Sequence, residues 1–187
     1  ISIKDTFEKR FGIPTFVEND ANAAVLGEKW LGLDRDVRHM LYMFSGVGCG
    51  VLIDGEIYRG ATGAAGELGI YNQRADESVI QANALNLGRW EIDLGMSRRA
   101  QDALKKGEPS MMKDLAGGHI EKVTAKEIIK AAKEKDALAV RIIEEAGRNL
   151  GMKIAFLADL LNPEIIVIGG GIEECGAILF DAIKTAV

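Results

Sequence analysis

Three consecutive polar residues, Glu18, Asn19 and Asp20, lie between an apolar segment at 13–17 and a segment with helical spacing. A carboxylate at the N-terminus of a helix is stabilised in its ionised form by the helix dipole. Asp20 could therefore serve as a general base toward a substrate hydroxyl, while the Asn19 amide donates to and accepts from neighbouring hydroxyls. In a simpler interpretation, Asn19 or Asp20 only caps the helix. The three residues alone leave both interpretations open.

A second candidate site is the glycine-rich segment 46–50, which interrupts an apolar run typical of a strand. Backbone N–H groups that no side chain shields can bind a phosphate, and the Ser45 hydroxyl would add a hydrogen bond. The segment lacks the Lys and the Ser or Thr that define a P-loop. It is therefore consistent with a phosphate contact through Ser45, Gly46 and Gly48, and equally with a bulged corner of a sheet.

Glycine recurs at every third position from Gly60 through Gly63 and Gly66 to Gly69, and Glu67 lies among these small residues. A carboxylate is costly to bury without a partner, so Glu67 is expected to face a polar ligand or solvent. Glycine also lets a ligand approach the backbone closely. The alternative is a surface loop without a functional role, since loops often carry glycine.

Three further glycines, Gly169, Gly170 and Gly171, follow a continuous apolar strand predicted at 164–168 and precede a final helical segment. Strand, glycine turn and helix form the unit that binds nucleotide phosphates at a helix N-terminus. The spacing does not match G-x-G-x-x-G. These glycines could thus contact an adenosine or only turn the chain.

The elements that must position these residues follow from the spacing of apolar residues. Alternating or continuous apolar segments predict strands, and i, i+4 spacing predicts helices. The predicted strands cover residues 13–17, 40–44, 51–53, 56–58 and 164–168. The predicted helices cover an N-terminal segment that ends before Gly12, then residues 21–31, 77–91, 97–106, 110–116, 124–135 and 136–161, and a segment after Gly171.

Local signals predict several of the boundaries. Asp54-Gly55 is typical of a hairpin turn between two antiparallel strands. Asp136 can cap the longest helix, because its side chain can accept from an unpaired N–H of the first turn. Asn162-Pro163 ends that helix, since proline disfavours the helical conformation in the residue before it.

The chain has 187 residues, of which 48% are hydrophobic and 27% charged, enough for one globular domain or a domain with part of another. Its net charge of −5 argues against a nucleic-acid surface, because neutralising phosphates requires clustered Lys and Arg. Any contact with DNA is expected from a region outside this chain. No apolar run approaches the roughly 20 residues that span a bilayer, which predicts a soluble, cytoplasmic protein without membrane contact.

Cysteine and histidine are scarce. Cys49 and Cys175 show no C-x-x-C spacing, and only His39 and His119 could join them, so no structural zinc site is expected. The chain begins with Ile1 rather than Met, and it stops within a helical pattern. Both ends are therefore expected to be boundaries within a longer protein.

Together these motifs resemble the ROK family of bacterial repressors and sugar kinases, which is built on the actin-like ATPase fold. The matching segments, in the order and spacing of the family, are residues 12–14, 18–24, 45–50, 52–55, 58–60, 63–69 and 162–171. The resemblance covers nearly the whole chain and implies an α/β protein with the actin-like ATPase (ribonuclease H-like) fold, mainly its C-terminal lobe. Residues 1–20 would be the end of the N-terminal lobe and the hinge. Residues 21–187 would form the C-terminal sugar- and nucleotide-binding lobe, truncated at both ends.

The resemblance also implies roles for the residues on the sugar side. Asn19 and Asp20 match family residues that contact the sugar, and Asp20 matches the catalytic base. Glu67 matches a residue that holds the sugar, and Gly63 belongs to the same segment. These four residues are therefore the predicted substrate contacts.

The nucleotide side follows from the same resemblance. Residues 45–48 correspond to a phosphate-side loop, and residues 169–171 lie on the adenosine side. ATP and Mg²⁺ would be cofactors only if the protein is a kinase. The Asp-x-Gly-x-Thr phosphate loop of the family has no match in this chain.

The sequence departs from the family pattern in one region. Ile70 stands where the family has a histidine, and residues 71–95 contain neither the zinc-binding cysteines of the family nor any histidine. No zinc is therefore expected, and the sugar contact of that histidine is missing. Glu91 could take the place of the next sugar-binding glutamate of the family.

Two functions from different classes follow. The first is the sugar-binding effector domain of a ROK-type transcriptional regulator, whose DNA-binding segment would lie upstream of Ile1. Loss of the histidine and of the zinc cluster suits a site no longer held to catalytic geometry. The second is an ATP-dependent sugar kinase with Asp20 as the base for phosphoryl transfer to a sugar hydroxyl. A degenerate lobe with a purely structural or oligomerising role is the remaining alternative.

Two further expectations concern partners. The resemblance implies a homodimer. Which sugar binds depends on the geometry of the site, which a sequence does not supply. Ile70 in place of a polar residue favours a less hydroxylated or substituted sugar.

Overall fold

The computed structural model describes residues 1–32, 36–44, 48–68 and 92–187. Within these ranges the chain forms a four-stranded sheet and seven α-helices. The strands are β1 Met40–Phe44, β2 Gly48–Ile53, β3 Glu56–Ile57 and β4 Ile165–Gly169. The helices are α1 Ile3–Phe11, α2 Asp20–Leu31, α3 Met96–Lys105, α4 Met112–Leu115, α5 Ala125–Lys133, α6 Ala137–Leu161 and α7 Ala177–Ala186. Short 3₁₀ turns cover Ile92–Gly95, Ile120–Lys122 and Ile172–Cys175.

The sheet has the strand order β3-β2-β1-β4 and mixes strand directions. β1 runs antiparallel to β2 and parallel to β4, so that Phe44 pairs with Gly48 on one side and with Gly169 on the other. The carboxyl ends of β1 and β4 therefore meet the start of β2 at one end of the sheet, here termed the carboxyl end. Ligands of open α/β sheets bind at such an end. Gly48 of the predicted phosphate-side loop and Gly169 of the predicted adenosine side are thus brought to the same end of the sheet.

The predicted hairpin between β2 and β3 is confirmed. Ile53 pairs with Glu56, and the two residues between them, Asp54 and Gly55, have φ of 54° and 80°. Positive φ at both central residues is typical of the turn that fits the right-handed twist of a two-residue hairpin.

The two faces of the sheet pack against different helices, because successive side chains of a strand point to opposite faces. Leu41 and Met43 of β1 face a large buried core to which α3, α5, α6 and α7 contribute. Met40 and Leu52 face a smaller cluster that includes Val25 of α2. Helix α2 therefore lies on one face of the sheet, and the C-terminal helices cover the other.

The longest helix, α6, has the predicted ends. Asp136 Oδ1 accepts the Ala139 N–H at 3.0 Å, and Asn162, with φ of 45°, terminates the helix. The same helix packs closely against α7. A Cβ on Gly151 would come within 2.7 Å of the Ile183 carbonyl oxygen, so glycine lets the two helices approach closely.

The predicted strand at 13–17 is wrong. These residues have no regular structure, and Phe16 is 89% exposed. A strand requires a neighbour for its backbone hydrogen bonds. Here the Thr15 N–H donates to the Glu8 side chain at 3.0 Å instead, and Pro14 has no N–H to donate. The segment is an irregular connection from α1 to α2.

Smaller differences concern boundaries. β2 begins at Gly48, because Gly48 and Gly50, which were expected to interrupt the strand, pair with β1. The predicted helix at 110–116 shortens to α4, and the final helix begins at Ala177 after the turn Ile172–Cys175. The predicted helix at 77–91 lies outside the described residues.

The division of the chain into a lobe end at 1–20 and a lobe at 21–187 stays a prediction. Helix α1 buries none of its residues, whereas α2 contributes to the packed face of the sheet. None of the helices in the described ranges is long and apolar enough to cross a membrane.

Candidate functional site

The N-terminus of α2 carries the first pair of candidate residues. Asn19 caps the helix, since its Oδ1 accepts the N–H groups of Ala21 at 2.9 Å and of Asn22 at 3.2 Å. Asp20 is the first helical residue, and its Oδ1 also accepts the Ala21 N–H, at 2.8 Å. Asn19 is therefore the residue that caps α2, and whether capping is its only role stays open. Its side-chain nitrogen has a different partner.

Asn19 Nδ2 donates to Glu67 Oε1 at 3.1 Å, although the two residues are 48 positions apart in the sequence. Asn19 and Asp20 are exposed, and Glu67 is partly exposed. Two predicted sugar contacts are thus adjacent, with a second carboxylate next to them. Carboxylate oxygens accept hydrogen bonds from hydroxyls, and Asn19 Nδ2 has a second N–H to donate, so the cluster has the chemistry to bind a polyol. The sugar-binding roles of these residues stay predictions.

Glycines of β2 let α2 reach this position. A Cβ on Gly50 would come within 2.3 Å of the Ala21 carbonyl oxygen, and one on Gly48 within 3.4 Å of the Ala21 Cβ. This approach leaves no room for a side chain at Gly50. Gly50 of the glycine-rich segment 46–50 is therefore required for packing. Ser45 and Gly46, predicted to share the phosphate contact with Gly48, lie outside the described residues.

The segment 60–68, here termed the 60–68 loop, carries Glu67 and is anchored on the start of β2. The Cys49 N–H donates to Gly66 O at 3.0 Å. Gly66 has φ of +83°, and a Cβ there would lie 1.7 Å from the Cys49 carbonyl oxygen, so only glycine fits. This anchor holds the adjacent Glu67. By contrast, nothing lies within 4 Å of a Cβ at Gly63, which leaves its backbone open to a ligand.

A second link between the two segments runs through Glu18, to which the sequence assigned no specific role. Its Oε2 accepts from Arg59 Nε at 3.2 Å and from a terminal nitrogen of the same guanidinium. Its Oε1 accepts the Asn19 N–H at 3.0 Å and Asn22 Nδ2 at 3.1 Å. The hydrogen bond from Arg59, above all, holds the pKa of Glu18 below its ordinary value, while burial opposes this effect. The sequence did not predict the contact between Glu18 and Arg59, although both residues lie in segments that match the family.

The glycine turn after β4 lies at the same end of the sheet. A Cβ on Gly169 would come within 2.0 Å of the Tyr42 hydroxyl oxygen, so a side chain there would require the Tyr42 ring to move. Gly170 and Gly171 have φ of 86° and 102°, and nothing lies within 4 Å of a Cβ at Gly171. This open backbone fits the close approach of a nucleoside, and the Gly171 N–H already donates to Glu173 Oε2 at 2.8 Å. The adenosine contacts of the turn stay predictions.

Both cysteine thiols, Cys49 and Cys175, are free and buried. Burial raises the pKa of Cys49 to about 12 and the pKa of Cys175 to about 11, so both stay protonated at neutral pH. Among the described residues, no three His, Cys, Asp or Glu side chains are grouped as a metal site requires. Residues 69–91, with Ile70 and Glu91, lie outside the described ranges. The expectation of no zinc and the role of Glu91 stay predictions.

Sequence comparison links the chain to both repressors and kinases. The profile of the ROK family matches residues 1–187. A putative xylose repressor from Caldicellulosiruptor sp. (strain Rt8B.4) is 33% identical over 191 residues, which cover 100% of this chain and 47% of the repressor. A glucokinase from Halalkalibacterium halodurans is 35% identical over 187 residues, which cover 97% of this chain and 56% of the glucokinase. The chain thus spans about half the length of these relatives.

Structural comparison agrees. A ROK family glucokinase from Streptomyces griseus, crystallised with glucose and AMPPNP, superimposes with a TM-score of 0.79 at 28% identity. The match covers 98% of this chain and 61% of that one. It confirms the predicted α/β architecture with the actin-like ATPase fold. Since the family profile matches residues 1–187 and repressors and glucokinases both occur among the relatives, the chain belongs to the ROK family of repressors and sugar kinases.

Proposed function

We propose that this chain binds a sugar at Asn19, Asp20 and Glu67, and that the sugar is the effector of a transcriptional regulator. The observation that carries the proposal is the 3.1 Å contact between Asn19 Nδ2 and Glu67 Oε1, next to the exposed Asp20. Neighbouring hydroxyls of a sugar can donate to the two carboxylates and accept from the amide. The glucose in the complex of the Streptomyces griseus glucokinase supports the same class of ligand.

Sequence features support regulation rather than catalysis. Ile70 takes the place of the family histidine, and residues 71–95 contain neither Cys nor His. A site that only senses a sugar does not need groups aligned for phosphoryl transfer. The net charge of −5 suits a sensing region that leaves DNA to another part of the protein.

The proposed regulator works through a homodimer. A sugar that binds one arrangement of the two subunits more tightly than another shifts the equilibrium between the arrangements. A DNA-binding region outside this chain then contacts its operator in only one of them. The size of the response is limited by the difference between the sugar affinities of the two arrangements.

A second candidate function is ATP-dependent phosphorylation of the sugar, and the position of Asp20 favours it. In the described part of the chain, only the Ala21 N–H donates to the Asp20 carboxylate. Its other oxygen is therefore able to accept the proton of a sugar hydroxyl. ATP bound with Mg²⁺ would supply the phosphoryl group, with Gly48 and residues 169–171 on the nucleotide side.

The two functions are tested with the whole protein, as wild type and as Asp20→Asn. ATP consumption and sugar binding are measured on the same samples with D-glucose and D-xylose. Sugar binding without ATP consumption by the wild type is the result expected for a regulator. Consumption that depends on one sugar and that Asp20→Asn abolishes would replace the regulator with the kinase. If the wild type neither binds these two sugars nor consumes ATP with them, a substituted sugar and the purely structural alternative would remain.

A further inference from the structure

Arg59 contacts both segments of the candidate site. It lies between β3 and the 60–68 loop, and its guanidinium donates to Glu18 Oε2 through Nε, at 3.2 Å, and through a terminal nitrogen. Two donors from one rigid plane restrict the position of a carboxylate more than a single flexible donor does. Arg59 therefore determines where the Glu18 carboxylate lies.

Glu18 transmits this restriction to the start of α2. Its Oε1 accepts the Asn19 N–H at 3.0 Å and Asn22 Nδ2 at 3.1 Å. Asn22 is only 3% exposed, so this end of the network is fixed by burial. The backbone of Asn19, and with it the amide that contacts Glu67, is thus held by Arg59 through Glu18.

The backbone of Arg59 reaches the other side of the site. Arg59 O accepts the Ala65 N–H at 3.2 Å, and Ala65 lies two residues before Glu67 in the 60–68 loop. The contacts therefore form a closed circuit, which runs from Arg59 through Glu18 and Asn19 to Glu67 and back along the loop. The side chain of Arg59 thus acts on Asn19 through Glu18, and its backbone is bonded to the loop that carries Glu67.

We propose that Arg59 is a positioning residue that sets the spacing of Asn19 and Glu67 for a bound sugar. That the site binds a sugar rests on the proposed function. The circuit of contacts is observed in the structure and does not depend on a ligand. Arg59 is 53% exposed, and ion pairs at such exposure contribute little to the free energy of folding. The principal effect of Arg59 is therefore on sugar affinity.

Calorimetric titration of the whole protein with D-glucose and D-xylose tests the effect on affinity. Arg59→Ala is expected to weaken the binding of whichever sugar the wild type binds by about tenfold, and Arg59→Lys is expected to restore part of the loss. Arg38→Ala is the matched control, because Arg38 pairs with Asp54 at 2.9 Å at the opposite end of the sheet. Unchanged affinity in Arg59→Ala, or an equal loss in Arg38→Ala, would overturn the proposal.

A double-variant cycle separates positioning from general destabilisation. If Arg59 acts by aligning Glu67, then Arg59→Ala should cause little further loss of affinity in a Glu67→Ala background. Losses that simply multiply in the double variant would mean that the two residues act independently, and would overturn the positioning role.

Hydrogen exchange of the sugar-free protein tests the circuit without any ligand. Arg59→Ala is expected to speed amide exchange in the 60–68 loop by about tenfold, whereas Arg38→Ala is not. If the wild type binds neither of the two sugars, the affinities cannot be compared, and exchange alone decides this inference. Faster exchange only in Arg59→Ala supports it, and unchanged exchange overturns it.

Discussion

Gly50 of β2 and Ala21 of α2 are in backbone contact, since a Cβ on Gly50 would lie 2.3 Å from the Ala21 carbonyl oxygen. This contact brings the first turn of α2 to the carboxyl end of the sheet. The 60–68 loop is anchored at the same place through Cys49 and Gly66. Close approaches of backbone that only glycine permits therefore place both halves of the candidate site at the carboxyl end of the sheet.

Replacement of Gly50 tests this contact. Gly50→Ala is expected to lower the free energy of unfolding by about 1–3 kcal/mol, because the added methyl must displace the backbone of α2. Gly27→Ala is the matched control within α2, where nothing lies within 4 Å of a Cβ. It should be neutral or stabilising by up to about 1 kcal/mol. Urea unfolding compares the variants, and equal stabilities would contradict the packing described for α2.

Alanine variants of two glycines in the 60–68 loop distinguish the cost of backbone strain from the cost of steric overlap. Gly63 and Gly66 have φ of +82° and +83°, but only Gly66 faces an atom that a Cβ would overlap. Gly63→Ala should cost about 1–3 kcal/mol of strain. Gly66→Ala should cost about 1–3 kcal/mol more, because the loop must also move away from β2. Denaturant midpoints measure both variants, and the anchor at Cys49 would be refuted by equal losses.

The contribution of Glu18 to stability should depend on pH. The hydrogen bond from Arg59 is the largest cause that lowers the pKa of Glu18 below its ordinary value of 4.5 in the folded state. The contribution is therefore fully present above the unfolded pKa, and it is lost as the pH falls through the lower folded pKa. Glu18→Gln and Arg59→Ala should each reduce the loss of unfolding free energy on acidification. An identical acid dependence in wild type and Glu18→Gln would be the contrary result.

The two cysteines should resist alkylation in the folded protein. Their pKa values are raised by burial to about 12 for Cys49 and about 11 for Cys175, and the thiolate is the reactive form. Mass spectrometry of iodoacetamide-treated protein at neutral pH should find both peptides unmodified until denaturant is added. Rapid modification of Cys49 without denaturant would contradict its buried position.

Local signals in the sequence predicted the elements that hold the site. The cap at Asn19, the hairpin turn at Asp54-Gly55 and the ends of α6 were predicted correctly, because each depends on residues within about one turn of each other. The strand at 13–17 was predicted from apolar residues alone. Whether such a segment finds a neighbouring strand is not a local property, and this one does not.

The glycine pattern marked the right region, but part of its cause lies in packing. Gly50, Gly66 and Gly169 each face an atom that would overlap a side chain, which spacing alone did not indicate. The contact of Glu18 with Arg59 joins positions 41 residues apart, so no local pattern predicts it.

The most direct measurement is the sugar affinity of the whole protein as wild type and as Glu67→Gln, by calorimetry with D-glucose and D-xylose. Glu56→Gln is the matched control, because Glu56 is exposed on β3 and outside the contacts of the site. Loss of a charge-assisted hydrogen bond of about 1.5–3 kcal/mol predicts at least about tenfold weaker binding for Glu67→Gln. The control should bind as tightly as the wild type. Equal affinities of wild type and Glu67→Gln would contradict the assignment of Asn19 and Glu67 to a sugar site.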